Sequence, residues 1–203
     1  MTEDRKPTLR GKRSAAERVR EAAKDLFYRQ GIHATGVEEV CRVAGTTKMG
    51  LYRSFPSKDA LVEAVLEEQC EAGEALYDET MALPDPRQRP WHYVEQAAAL
   101  LRSPGFRACP MAIVTVEFPD AEHPARKLID KHRQIKRDRL RRMCAEAGAA
   151  ESLGDTLLLL LEGAFSSAAY LGNEAAAESL EQAARALLTE AYGPREGLAA
   201  PAA

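Results

Sequence analysis

Apolar residues recur at helical spacing along the 203-residue chain, in stretches separated by recognisable caps and breaks. Ser14 and Glu17 form a capping box, Val19, Ala22, Ala23, Leu26 and Phe27 follow on one face, and Gly31 stops this first helix. Thr35 and Glu38 offer a second capping box, opening a short helix through Val37, Val40, Cys41 and Val43. It closes at Ala44-Gly45, where Gly45 supplies positive φ for a tight turn. Thr46 and Thr47 provide an N-cap for another short helix, Lys48 to Ser54, which must stop by Phe55 because Pro56 disfavours helical geometry before it. Ser57 caps a longer helix bearing Leu61, Val62, Val65, Leu66, Gln69 and Leu76 on one side and running toward Pro84, Pro86 and Pro90.

The second half continues in the same manner. A helix is expected from about Trp91 to Arg102, broken at Ser103-Pro104-Gly105, and a short apolar stretch runs from Cys109 to Phe118. MAIVTV within it has strand propensity, but no partner strand exists elsewhere, so helix is the better reading. Pro124 opens a long helix to about Glu146, Asp155 to Leu171 forms another, and Asn173 caps a last one carrying Leu180, Ala183, Ala184, Leu187, Leu188 and Ala191. The expected fold is all-α.

Charge divides the chain. Residues 1–58 carry 13 Lys and Arg against 7 Asp and Glu, a net +6, whereas the remainder carries 15 against 24, a net −9. A basic head on an acidic body suits binding a polyanion with one end, because charge beyond the screening length costs little. The polar first residues, with Pro7 and Gly11, read as a flexible basic arm. No apolar run approaches the ~18 residues that cross a bilayer, and no apolar segment of the secretory kind follows the N-terminus, so a cytoplasmic protein is expected. Cys41, Cys70, Cys109 and Cys144 are too irregularly spaced for a zinc motif and read as free thiols, with metal ligation by Cys109, His123 and His132 the alternative.

Thr35 to Ser54 supplies a positioning helix, a glycine turn and a second helix whose N-terminal residues reach base edges, the parts of a helix-turn-helix. Residues 31–66, GIHATGVEEVCRVAGTTKMGLYRSFPSKDALVEAVL, resemble the DNA-binding head of the TetR family of bacterial repressors, and the preceding ERVREAAKDLF fits that family's first helix. The resemblance rests on Ala44-Gly45, Leu51-Tyr52, Phe55, Lys58 and Leu61, and departs at Gly50, where the family usually has Thr, Ser or Ala. Residues 105–148 are similar to the bodies of one subgroup with a Gly-Cys-Pro-like turn, although Ala108 stands in place of its Gly. In this geometry Thr46, Thr47, Lys48 and Met49 lie at the recognition-helix N-terminus, Arg53 follows about a turn and a half later, and Tyr52, Thr35 and Lys58 reach phosphate. Leu51 and Phe55 read as core.

The domains expected are an arm (1–13), a helix-turn-helix domain (14–60), a helical effector-binding and dimerisation domain (61–192) and a loose tail (193–203). One short recognition helix offers too little surface for a unique genomic site, so a homodimer reading two half-sites about 34–36 Å apart is expected. Its interface falls to Gly163, Ala164, Ser167, Ala168 and Leu171 with Leu180, Ala184, Leu187 and Leu188. The resemblance implies an effector pocket in the body, with Trp91, Phe106, Cys109, Met111, Ile113, His132, Met143 and Phe165 as candidate lining. Together these readings describe a repressor that binds operator DNA and is released by a small, mostly apolar molecule, without a cofactor, metal or membrane partner. The nine cations between Arg126 and Arg142 read as a solvated face balancing the acidic body rather than a contact for DNA or an anionic ligand. Two rivals use Cys109: a thiol-redox regulator, or an enzyme with Cys109 as nucleophile and His123 or His132 as base. No GxSxG, phosphate loop or paired carboxylates support catalysis.

Overall fold

Every periodic stretch is helical in the computed structural model, which describes residues 13–107 and 109–193. Apart from Arg13 and Gly193, the expected arm and tail lie outside those residues, as does Ala108. The elements are α1 (Ala15–Gln30), α2 (Val37–Ala44), α3 (Lys48–Ser54), α4 (Lys58–Met81), α5 (Gln88–Arg102), α6 (Pro110–Glu117), α7 (Pro124–Glu146), α8 (Ser152–Leu171) and α9 (Asn173–Tyr192). Among the described residues there is no strand, and no helix is long and apolar enough to cross a membrane. The chain divides into two units between Val65 and Leu66, within α4.

In the first unit, α1, α2 and α3 pack on one another. Ser14 and Glu17 make the reciprocal capping box, Glu17 N–H donating to Ser14 Oγ at 3.1 Å and Ser14 N–H to the Glu17 carboxylate at 2.6 Å. Val19, Ala22, Ala23, Leu26 and Phe27 are buried as their spacing requires, together with Ile32, Val40, Cys41, Ala44, Leu51, Leu61, Val62 and Val65. Gly45 ends α2 at φ 62°, a left-handed conformation that costs a residue with a Cβ roughly 1 kcal/mol or more. Thr47 caps α3, and Ser57 caps α4 by accepting from Ala60 N–H at 3.0 Å.

Two caps differ from the sequence reading. The second capping box is absent: Gly36 is the N-cap of α2 without a side-chain bond, because the Thr35 hydroxyl donates to Gly31 O at 2.7 Å and closes the preceding loop. Asn173 is the first residue of α9, not its cap. Its amide donates to Phe106 O at 3.0 Å, tying α9 to the α5–α6 connection. α5 also begins earlier than its apolar pattern, at Gln88, since Pro90 fits in the first turn where a missing N–H costs nothing.

In the second unit, α9 packs on α5 and α8, α8 on α7, and α7 on α6. Val94, Ala98, Leu101, Leu140, Met143, Cys144, Leu157, Leu161, Ala177, Leu180 and Leu188 form its core. The cations of α7 are largely spent on this packing. Arg126 pairs with Asp130, Lys127 with Glu122, Lys136 with Glu162, Arg137 with Asp155, Arg139 with Glu74, Arg141 with Glu151 and Asp155, and Arg142 with Glu146, while Arg133 donates to Thr115 Oγ1. A run so engaged balances the acidic body and offers little free charge to DNA.

Candidate functional site

The head presents one helix face that no other described residue covers. Leu51, with no exposed surface, anchors α3 from beneath, and Phe55 is half-buried. Helical spacing then turns Lys48, Met49, Tyr52 and Arg53 outward, and all four are exposed. Met49 is 83% exposed and Tyr52 45%, unusual for large side chains with apolar bodies and the more telling for sitting together. Thr46 is half-buried beside them, and Thr47 is exposed while its hydroxyl accepts from Gly50 N–H at 3.1 Å. Lys58 is half-buried at the start of α4. Thr35 differs from the rest: it is 1% exposed and its hydroxyl proton is already used by Gly31 O.

Lys48 is held by Glu38 of α2 in an ion pair. The Glu38 hydrogen bond raises the ammonium above its ordinary range, and the same bond holds the Glu38 carboxyl below its own. Arg18 of α1 donates through Nε to Ala44 O at 3.1 Å, placing a cation on the carbonyl end of α2 just before the turn. The Arg18 contact braces α2 without using the outward face, whereas the Glu38 ion pair engages one of that face's own residues, Lys48.

Gly50 lies on the turn between Thr47 and Leu51. A Cβ there would sit 2.6 Å from Thr46 Oγ1, the end of a side chain that can rotate away. Gly50→Ala is therefore expected to stabilise the head by up to ~1 kcal/mol through helix propensity. A lower thermal midpoint in circular dichroism would show instead that the Thr46 hydroxyl is fixed.

In the body, the residues expected to line a pocket separate into two groups. Met143, Trp91 and Phe165 belong to the core, at 0%, 8% and 8% exposure. Phe106, Cys109, Met111, Ile113 and His132 are half-buried. Phe106 and Phe165 bring their rings to 5.6 Å, and the Lys136 ammonium lies 5.8 Å from the centre of the Phe165 ring. Lys136 Nζ meets Glu162 Oε1 at 2.7 Å; burial alone would lower the lysine, but Glu162 and Tyr93 leave it raised. Burial pushes the Tyr93 phenol up. Tyr93, Lys136 and Glu162 were not singled out from sequence. The signal was present for Lys136, which falls in the inward stripe Ile129, His132, Lys136, Leu140, Met143 instead of on the polar face.

His132 has its pKa lowered, first by burial and then by Lys136 and Arg139, against the opposing pull of Glu74 and Glu162. Because the folded value lies below the unfolded one, His132 leaves stability intact above the ordinary histidine range and removes it as pH falls below that range. The thermal midpoint of the wild type is expected to drop more steeply than that of His132→Asn between about pH 7 and 5.5. Parallel curves would contradict this.

Among the cysteines, Cys41, Cys70 and Cys144 are buried and Cys109 is half-buried; burial raises Cys70 and Cys144 to about 11. His123 caps α7, accepting from Ala125 N–H through Nδ1 at 3.3 Å and stacking on Phe118 at 4.2 Å. Among the described residues no group of three His, Cys, Asp or Glu is placed to hold a metal.

Of the residues expected at a dimer interface, Ala164, Ala168, Leu180, Ala184 and Leu188 are buried in the chain's own core. Gly163 and Leu171 are exposed, Ser167 and Leu187 half-buried. Two further large side chains of α8 are exposed, Leu159 at 73% and Tyr170 at 78%; with Gly163 they share a stripe at spacings of four and seven.

Residues 19–65 match the family model described as bacterial regulatory proteins, tetR family. The head is similar to the HTH-type transcriptional regulator RutR of Escherichia coli K12, 43% identical over 61 residues, a match covering 28% of this chain and only 29% of that relative. Over 88% of the chain the fold is similar to SCO4454, a TetR-family transcriptional regulator from Streptomyces coelicolor, with a TM-score of 0.84, 26% identity and 96% of that chain covered. A TetR-type regulator from Streptomyces avermitilis gives a TM-score of 0.74 at 29% identity, over 88% of this chain and 98% of its own.

Proposed function

Since the chain belongs to the TetR family of transcriptional regulators and carries its DNA-binding helix-turn-helix, we propose that it is a cytoplasmic repressor, not an enzyme, which binds a palindromic operator as a homodimer and is released by a small, mostly apolar effector. The observation that carries this reading is the uncovered face of α3, where Lys48, Met49, Tyr52 and Arg53 stand outward beside Thr47. In the major groove a Met side chain suits the thymine methyl, Lys and Arg suit guanine or phosphate, and a Tyr hydroxyl suits phosphate. Lys58 and the half-buried Thr46 supply backbone contacts, whereas Thr35 acts by shaping the loop before α2. The DNA-binding domain runs from residue 14 through Val65, five residues past the boundary expected at 60, since Leu61, Val62 and Val65 at the start of α4 are buried in the first unit, and the effector-binding and dimerisation domain covers 66–192.

For the dimer, the stripe Leu159, Gly163 and Tyr170, with Ser167, Leu171 and Leu187 beside it, offers apolar area around a glycine that permits close helix approach. Release follows if the effector favours a body conformation that holds the two heads at the wrong spacing. The test is sedimentation of the protein with a fluorescent duplex from the region upstream of its gene. Two chains per duplex are expected; a single chain per duplex would contradict the palindromic reading.

A second reading keeps the head and changes the signal, because Cys109 is half-buried while the other three thiols are enclosed. If it senses oxidants, peroxide lowers operator affinity in the wild type and not in Cys109→Ser.

A further inference from the structure

The body holds a charge pair that its packing does not require. Lys136 and Glu162 meet at 2.7 Å inside the stripe where α7 otherwise presents Ile129, Leu140 and Met143. A part-buried ammonium–carboxylate pair adds little net stability, since desolvation offsets much of the attraction, and apolar side chains of similar size would pack as well. The side chains packed beside this pair are also not all fully buried. Tyr93, Phe106 and Cys109 pack against the core yet remain only partly buried, and both Tyr93 and Cys109 lie close enough to act on the Lys136 charge. On α4, a Cβ at Gly73 would lie 3.8 Å from the His132 ring, and one turn earlier on the same face Gln69 buries its carbonyl oxygen with no donor among the described residues.

We propose that this is the effector site, and that the effector is an aromatic weak acid whose anionic group takes Lys136 from Glu162. The inference rests on the reading of the chain as a ligand-released regulator. An anion is favoured over a cation by the asymmetry of the pair. Lys136 has 20% of its side chain exposed and lies against Phe165, whereas Glu162 has 34% exposed and is the partner free to turn toward water. Exchanging one carboxylate for another leaves the buried charge balanced, so the cost that usually prevents anion burial is avoided. With Glu162 withdrawn, Lys136 and Arg139 of α7 outnumber Glu74. The Tyr93 hydroxyl stays protonated and can donate to the anion, while Phe106 and Phe165 accept the ring. Glu162 thus holds the place that the effector's acid group takes.

The experiment is a fluorescence titration of the full chain with two dyes of similar shape, anilinonaphthalene sulfonate and the uncharged N-phenylnaphthylamine. Saturable binding of the anion at one site per chain is expected. Lys136→Gln should weaken the anionic dye roughly tenfold or more relative to the uncharged one, the scale of a charge-assisted hydrogen bond. Glu162→Gln should strengthen it by a similar factor. If Lys136→Gln fails to give a cooperative melt, the Glu162→Gln result decides alone, because a merely structural pair predicts weakening there. Equal binding of both dyes by all three proteins, or binding of neither, would overturn the proposal. Operator binding by mobility shift on the same preparations keeps the readings apart. Retained DNA binding with failed dye discrimination sinks only the effector class; lost DNA binding with the expected dye pattern sinks only the regulator.

Discussion

Changing Lys48 and Tyr52 together to alanine is expected to lower operator affinity by about 100-fold or more at near-physiological salt, while leaving the thermal midpoint almost unchanged. Each side chain stands outward from α3, and Leu51, which anchors the helix, is untouched. A base or phosphate contact of this kind is worth roughly 1–3 kcal/mol, so two lost together exceed the scatter of a mobility-shift titration. The lysine contribution is tempered by Glu38, whose ion pair with Lys48 must be given up when DNA binds. Tyr52 carries no such cost, and Tyr52→Phe should therefore account for a good part of the loss if its hydroxyl meets phosphate. Affinity unchanged in the double variant, with the fold intact, would mean that α3 does not face DNA through this side.

The second large effect concerns the body. Gly154 in α8 stands where a Cβ would meet the backbone of α7, falling against Arg141 N, 2.5 Å from Arg141 Cα and 2.6 Å from Leu140 C. A backbone cannot turn aside as the Thr46 hydroxyl can. Gly154→Ala must push α7 and α8 apart, loosening Leu140, Leu157 and Leu161, all of them within 1% of complete burial. Overpacking of this kind costs about 2–3 kcal/mol or more, which outweighs the gain of up to ~1 kcal/mol from replacing a helical glycine. For a chain of this size the thermal midpoint should fall by roughly 3–8 °C. A midpoint that rises would show that the helices separate without loss.

How far the sequence carried each feature depends on the range of the interaction behind it. Ser14 with Glu17, Gly45, Thr47 and Ser57 act within a turn of their own helix, and all were legible. Thr35 and Asn173 have the same residue chemistry, yet their side chains bond to Gly31 and to Phe106, and no local pattern distinguishes a cap from such a tie. The outward face of α3 followed from spacing alone once Leu51 was taken as the anchor. In the body, Lys136 and Glu162 are 26 residues apart and on different helices, so their pairing was hidden. The close approach at Gly154 depends on where α7 crosses α8, which periodicity does not encode. The place of Lys136 within an apolar stripe was the one local signal, and it was set aside in reading the sequence by counting Lys136 among the solvated cations of the run 126–142.

Whether the basic head reads a specific operator is decided by mobility shift of the purified chain on the DNA flanking its own gene, over a series of salt concentrations and beside a scrambled duplex. Saturable binding is expected that prefers the flanking DNA by about a thousandfold and weakens steeply with salt, as phosphate-bound counterions are released. Equal, weak binding to both duplexes at every salt concentration would contradict specific reading.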